Sequence, residues 1–320
     1  MANQTQAIEL DKPIPKIDIT TKRIDYVDIA KGIGIVLVVM GHNDFALISP
    51  FAHKLIYSFH MPMFFFMSGM FFKPDIPFLV FARRRFDRVL RPFLFTVLLI
   101  YFMSISFSKV SIIVATRRLL KAMYANGHYL DWVQLWFLPH LFVASLFAYF
   151  FIHVIRWTPL HQLRWAILAA IYVLGVLGIA LFWPFEFNLL GKDFTVYGLP
   201  FSLDIVFVSG FFFILGYELN KKLHASLFHN VWILLISGIS LIILVWYYPP
   251  TIDLNTRLFG SLIINTGEAL LGIVLFLQFR IRWRDWVCWR LYLDTSAKPH
   301  LSFLSFKFPF KIIGDKRYLR

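Results

Sequence analysis

Lys31 and His42 stand eleven positions apart in the apolar run Asp28-Ile-Ala-Lys31-Gly-Ile-Gly-Ile-Val-Leu-Val-Val-Met-Gly-His42. Charged and imidazole side chains are costly in sequence that faces lipid, and those retained there mark reaction centres or pathways. At ~100° per residue, eleven steps return to within roughly 20° of the starting face and climb ~16 Å. One helix therefore carries a cation near one membrane surface and an imidazole, in line, near the other. Asp28 falls on the same stripe. The geometry is that of a track for a long, charged-headed substrate rather than a packing seam.

Further ionisable residues stand in apolar surroundings. Arg83-Arg84-Arg85-Phe-Asp87-Arg88-Val-Leu-Arg91-Pro92 leads into an apolar stretch. Arg83 to Arg85 read as a positively charged membrane anchor. Arg88 and Arg91, three apart, are expected to share a helical face at the membrane boundary, where they either hold an anionic partner such as phosphate or extend the anchor. Ser58-Phe59-His60-Met61-Pro62 places a second histidine in the next apolar stretch, where it either serves the same site as His42 or hydrogen-bonds a neighbouring helix. His140, Asp204 and Glu268 are the remaining candidates, and Trp136-Phe137-Leu138-Pro139 reads as packing around a proline kink. No pair of histidines four apart on a helix with a glutamate between them suggests a metal, and no glycine-rich phosphate loop is present.

The elements that must position these residues are helices across a bilayer. Of 320 residues 59% are hydrophobic and 19% aromatic, a composition that excludes a soluble domain of this size and fits an all-α, polytopic membrane bundle. One cysteine, Cys288, excludes an intrachain disulfide and a cysteine-built zinc site. Net charge is +14, but excess Lys and Arg belong to the inner loops of a membrane protein, so nucleic acid is not an expected partner. Eight stretches are long enough to span, at about 29–49, 55–72, 89–108, 132–155, 165–185, 199–219, 231–248 and 258–279. Residues 1–23 form a polar tail rather than a cleaved signal peptide. With that tail in the cytoplasm, twenty-five Lys and Arg lie inside and seven outside, which sets the orientation. The loop 109–131 departs from the rule. Its Ile112, Ile113, Leu119, Leu120 and Met123 against Arg117, Arg118 and Lys121 predict a helix lying in the outer interface. Measured from their helix ends, His42, His60, His140, Asp204 and Glu268 all fall roughly 7–15 Å below the outer surface. Two poles emerge: a cationic inner mouth and an acid–base shelf in the outer half.

Taken together, these segments resemble acyltransferase family 3, and within it the branch related to fucose 4-O-acetylase. Three motifs carry the likeness: Arg23-Ile-Asp25-Tyr26-Val-Asp28-Ile-Ala-Lys31-Gly32 with Gly41-His42, Phe59-His60-Met61-Pro62 running into Phe65-Phe66-Met67-Ser68-Gly69, and Arg88-Val-Leu-Arg91-Pro92. The resemblance is good over about 23–145 and topological from there to about 279. It implies a membrane-embedded O-acyltransferase that takes acyl groups, acetyl first among them, from cytoplasmic acyl-coenzyme A to hydroxyls of an extracytoplasmic polysaccharide or lipid-linked glycan. It assigns catalysis to His42 and the donor to Lys31, Arg88 and Arg91; His60, Asp204 and Glu268 are further candidates for the catalytic set on their own placement, not on the resemblance. A neutral imidazole, with an ordinary pKa near ~6.5, suits a general base, and an acyl-histidine intermediate is the alternative. Acetyl-CoA would be a co-substrate, and no metal is implied. The expected location is the cytoplasmic (inner) membrane.

The family usually has about ten spans, against eight here. The membrane domain is accordingly expected over 24–279, with 280–320 a basic tail carrying ten Lys and Arg against three Asp and standing outside the native fold. A transporter or flippase for a glycan lipid or an acyl donor is the competing class, followed by an inactive, truncated transferase. No inverted repeat of the kind common in transporters is visible.

Overall fold

The computed structural model describes residues 25–43, 45–108, 110–158, 160–220, 230–248 and 252–296, with 25–31, 45–46, 161 and 280–296 described as helix alone. Helices dominate, and each of the eight apolar stretches contains one. They are α1 (Asp25–Gly41), the short α2 (Phe45–Ile48), α3 (Pro50–Met70), α4 (Phe78–Arg85) continuing into α5 (Arg91–Ser106), α6 (Ile112–Met123), α7 (Phe137–Ile155), α8 (His161–Phe182), α9 (Val206–Asn220), α10 (Val231–Tyr247) and α11 (Leu262–Ser296). Among the described residues, five helical segments are long and apolar enough to cross a membrane: 78–106, 133–155, 162–182, 200–220 and 262–279. Shorter apolar helices lie at 32–41 and 231–247. The protein is an all-α, multi-pass membrane bundle.

Helix α3 is the central post, buried along most of its length from Ile56 to Met70. It carries the polar Ser58 and His60 because its neighbours, not lipid, surround it. Its tightest partner is α9. A Cβ at Gly69 would lie 1.8 Å from Phe213 O, and one at Gly216 would lie 2.0 Å from Phe66 O, so the two backbones touch through glycine. In lipid no hydrophobic force separates helix from tail, and this close packing is what holds helices together. Gly272 of α11 similarly seats the Phe59 ring, with 2.2 Å from its would-be Cβ to Phe59 Cγ.

Between α4 and α5 the chain makes one π turn, Phe86–Leu90. A π turn inserts an extra residue and breaks the 3.6-residue spacing on which a shared face for Arg88 and Arg91 rests. Arg91 pairs with Asp87 at 2.6 Å, and both Arg88 and Arg91 are exposed. Arg85 instead reaches the bundle, with its guanidinium 5.8 Å from the Phe81 ring centroid and 5.9 Å from that of Phe213.

Helix α6 occupies the loop where an interfacial helix is expected. Ala115 and Ala122 face inward, whereas Ile112, Ile113 and Leu120 are exposed beside Arg117 and Arg118. Two antiparallel hairpins complete the fold: β1 (Phe185–Leu189) with β2 (Lys192–Val196), and β3 (Ile252–Asp253) with β4 (Leu258–Phe259). Helix α11 runs on to Ser296, past the boundary at 279 expected from hydropathy.

Candidate functional site

The catalytic candidate closes α1. His42 follows its last residue, and the Gly41 carbonyl receives two hydrogen bonds from α3, one from Tyr57 Oη (3.1 Å) and one from His53 Nε2 (3.2 Å). Those bonds satisfy an acceptor that a helix end leaves open. They also fix His42 against α3, where its ring stands 6.4 Å from His60 in an edge-to-face arrangement and 6.1 Å from Tyr57.

The ring nitrogens can be assigned from their partners. His42 Nδ1 lies 2.9 Å from Val38 O, and His60 Nδ1 lies 3.0 Å from Ile56 O. A carbonyl only accepts, so both Nδ1 atoms carry a hydrogen, and in the neutral tautomer that this selects, Nε2 is the acceptor of each ring. His42 Nε2 has no hydrogen-bond partner among the described residues. This is the nitrogen a general base requires.

Both histidines line a pocket of about 310 Å³. Its walls are apolar, from Ile35, Val38 and Val39 of α1 and Met61 and Phe64 of α3. Its polar members are Tyr57, Gln134, Asp253 and Asn255, with Trp136 and Phe137 beside them. A cavity of this size with few polar groups is the ordinary form of a small-molecule site.

The rim is held by a buried ion pair. Arg257 donates from Nε to Asp204 Oδ2 (2.8 Å) and from Nη2 to Oδ1 (3.1 Å), with both side chains only 3% exposed. Its Nη1 reaches Asn255 O (2.5 Å) and Asn126 Oδ1 (3.4 Å). Gly198, at φ +137°, leaves space for the guanidinium, which would stand 2.1 Å from a Cβ there. Tyr124 Oη donates to Gly198 O (2.9 Å), and burial, the Tyr129 hydroxyl and the Asp204 carboxylate all push its pKa up, so it stays a donor. Three segments that are distant in sequence, 124–129, 198–204 and 252–259, are thereby tied into one cap.

The sequence-derived candidates separate accordingly. The structure brings His42 and His60 together. His140, Asp204 and Glu268 are not among the residues lining the pocket. His140 donates from Nδ1 to Phe201 O (3.1 Å) and meets Ser209 Oγ through Nε2 (2.8 Å). Asp204 clamps the cap. Glu268 Oε2 accepts from Asn265 Nδ2 (3.0 Å), and its buried Oε1 has no partner among the described residues. Lys31 lies in α1, its side chain outside the described residues. Arg88 and Arg91 stand exposed on the stretch leading into α5. Tyr57, Asp253 and Asn255, which line the candidate pocket, and His53, which supports the end of α1, are residues that the sequence did not single out. The histidine at 53 and the tyrosine at 57, a helical turn apart, were the available signal.

Residues 24–293 match a family model described as an acyltransferase domain. No curated protein and no solved structure matches the chain. With most of its length covered by that match, the chain belongs to acyltransferase family 3 and is a multi-pass membrane acyltransferase.

Proposed function

We propose that this acyltransferase moves an acetyl group from cytoplasmic acetyl-CoA to a hydroxyl of an extracytoplasmic glycan, with His42 as general base. The observation that carries this reading is His42 Nε2, unpaired on the wall of a cavity while Nδ1 is held by Val38 O. Nε2 takes the proton of the acceptor hydroxyl as its oxygen attacks the thioester carbonyl. The C–O bond forms, the C–S bond breaks, and the imidazolium returns the proton to the departing thiolate. His60 Nε2 offers a second acceptor that can orient the hydroxyl. Gln134 and Asn255 are amide-bearing residues of the lining, a class of side chain that can serve a developing oxyanion.

On this reading the coenzyme A phosphates meet Lys31, Arg88 and Arg91 at the inner surface, and the pantetheine arm follows α1 outward to His42. The N-terminus lies in the cytoplasm, and the protein resides in the inner membrane. The distribution of Lys and Arg supports that orientation.

The test uses the full chain in detergent. His42→Ala should retain acetyl-CoA binding within about twofold and lose transfer by at least ~10²-fold, the span expected for a general base. Retained transfer by His42→Ala would remove His42 from the chemistry.

A further inference from the structure

We propose that Asp253 makes the pocket selective for sugar units without a negative charge beside the acylated hydroxyl, so that neutral hexoses are taken and hexuronates or phosphorylated sugars refused. This rests on the glycan-acyltransferase reading above and specifies the acceptor at that site.

Asp253 ends β3 and lines the same pocket as His42. Its Oδ1 accepts from the backbone N–H groups of Asn255 (2.9 Å) and Thr256 (3.3 Å), which fixes the carboxylate in an Asx turn. Oδ2 has no hydrogen-bond partner among the described residues. It is an acceptor without a donor, and a sugar's vicinal hydroxyls are donors of the right kind.

The nearby cation does not neutralise it. Arg257, four residues on, uses its guanidinium on Asp204, Asn126 and the Asn255 carbonyl, buried beneath the hairpin. Among the described residues that line the cavity Asp253 is the one carboxylate and no Lys or Arg is present, so its charge has no cationic partner there. Apolar walls of low dielectric keep that charge from being screened. A second anion seated against it meets repulsion, whereas Trp136 and Phe137 can cover the C–H face of an uncharged ring. Discrimination by a repulsive group is an efficient route to specificity, because the wrong partner is penalised directly.

The experiment supplies the full chain, purified in detergent, with labelled acetyl-CoA and two matched sets of oligosaccharides, one of neutral hexoses and one of the corresponding hexuronates. The expected result is transfer to the neutral set at least about tenfold faster at equal concentration. Asp253→Asn keeps an oxygen for both turn N–H groups while removing the charge. It should lower the neutral rate and raise the hexuronate rate, narrowing the ratio by about tenfold. Equal rates on both sets by the original chain overturn the proposal without recourse to any variant. So does a variant in which both rates fall together, since Asp253 would then serve the fold or the chemistry rather than selection. Transfer to neither set overturns the glycan reading itself, and is told apart because no acceptor gives signal with either chain.

Discussion

His42 owes its availability to its surroundings. Val38 O fixes the tautomer, and the Gly41 carbonyl, held by Tyr57 and His53, fixes the helix end that presents the ring. Each of those bonds is worth about 0.5–1.5 kcal/mol, so one can be lost while the other still holds. Tyr57→Phe should therefore lower kcat by roughly threefold, and Tyr57→Phe with His53→Leu by ten- to thirtyfold, with the KM for acetyl-CoA unchanged. Rate measurements on the two variants check this, and a rise in KM instead would place the pair at the donor site. His60 lines the pocket beside His42, its ring 6.4 Å away. Replacement by Leu should reduce kcat by at least ~10-fold while leaving acetyl-CoA binding intact, as isothermal binding would show.

At the scale of elements, the cap depends on a pair that sequence spacing does not reveal. Arg257 and Asp204 are 53 positions apart, and the chain offers no periodicity that links them. Arg257→Met would leave Asp204 buried without its partner, at a cost of about 3–5 kcal/mol, whereas converting both to apolar residues should recover much of the loss. Thermal unfolding of the detergent-solubilised single and double variants reads the difference. Gly216→Leu should be worse than either, because the new side chain would collide with the Phe66 carbonyl and force α3 from α9. Loss of folded protein at unchanged synthesis is the expected outcome.

The same pair shows what the sequence could and could not convey. Hydropathy located every long helix, and the alternation of Ile112, Ile113 and Leu120 with basic residues located α6, because burial in lipid imposes composition directly. Helical rise predicts a common depth for His42, His60, His140, Asp204 and Glu268. Depth is one coordinate of three. Which way each residue faces depends on how helices rotate and on where loops fold back, and those are set by contacts such as Gly69 on Phe213 and Arg257 on Asp204. The π turn at Phe86–Leu90 is a further case, since no local signal announces one extra residue in a helical turn.

For the molecule as a whole, the orientation gives a direct labelling prediction. In the proposed orientation α8 runs outward to the β1–β2 hairpin, whose tip residue Leu190 is 95% exposed; Trp157, at the other end of α8, is 89% exposed. With Cys288 changed to Ser, Leu190→Cys should react with a membrane-impermeant maleimide in intact cells. Trp157→Cys should react only after permeabilisation. The reverse pattern would invert the topology and detach the proposed donor track from the cytoplasm.

In the proposed mechanism acetyl passes from inside, along α1, to a hydroxyl outside, at His42. Inverted membrane vesicles bearing this chain or its His42→Ala variant at equal abundance, given labelled acetyl-CoA on their outer, formerly cytoplasmic face and a neutral glycan within, test it most directly. Label should appear on the enclosed glycan only with the original histidine. Equal labelling with both chains, or label confined to glycan added on the coenzyme A side, would contradict it.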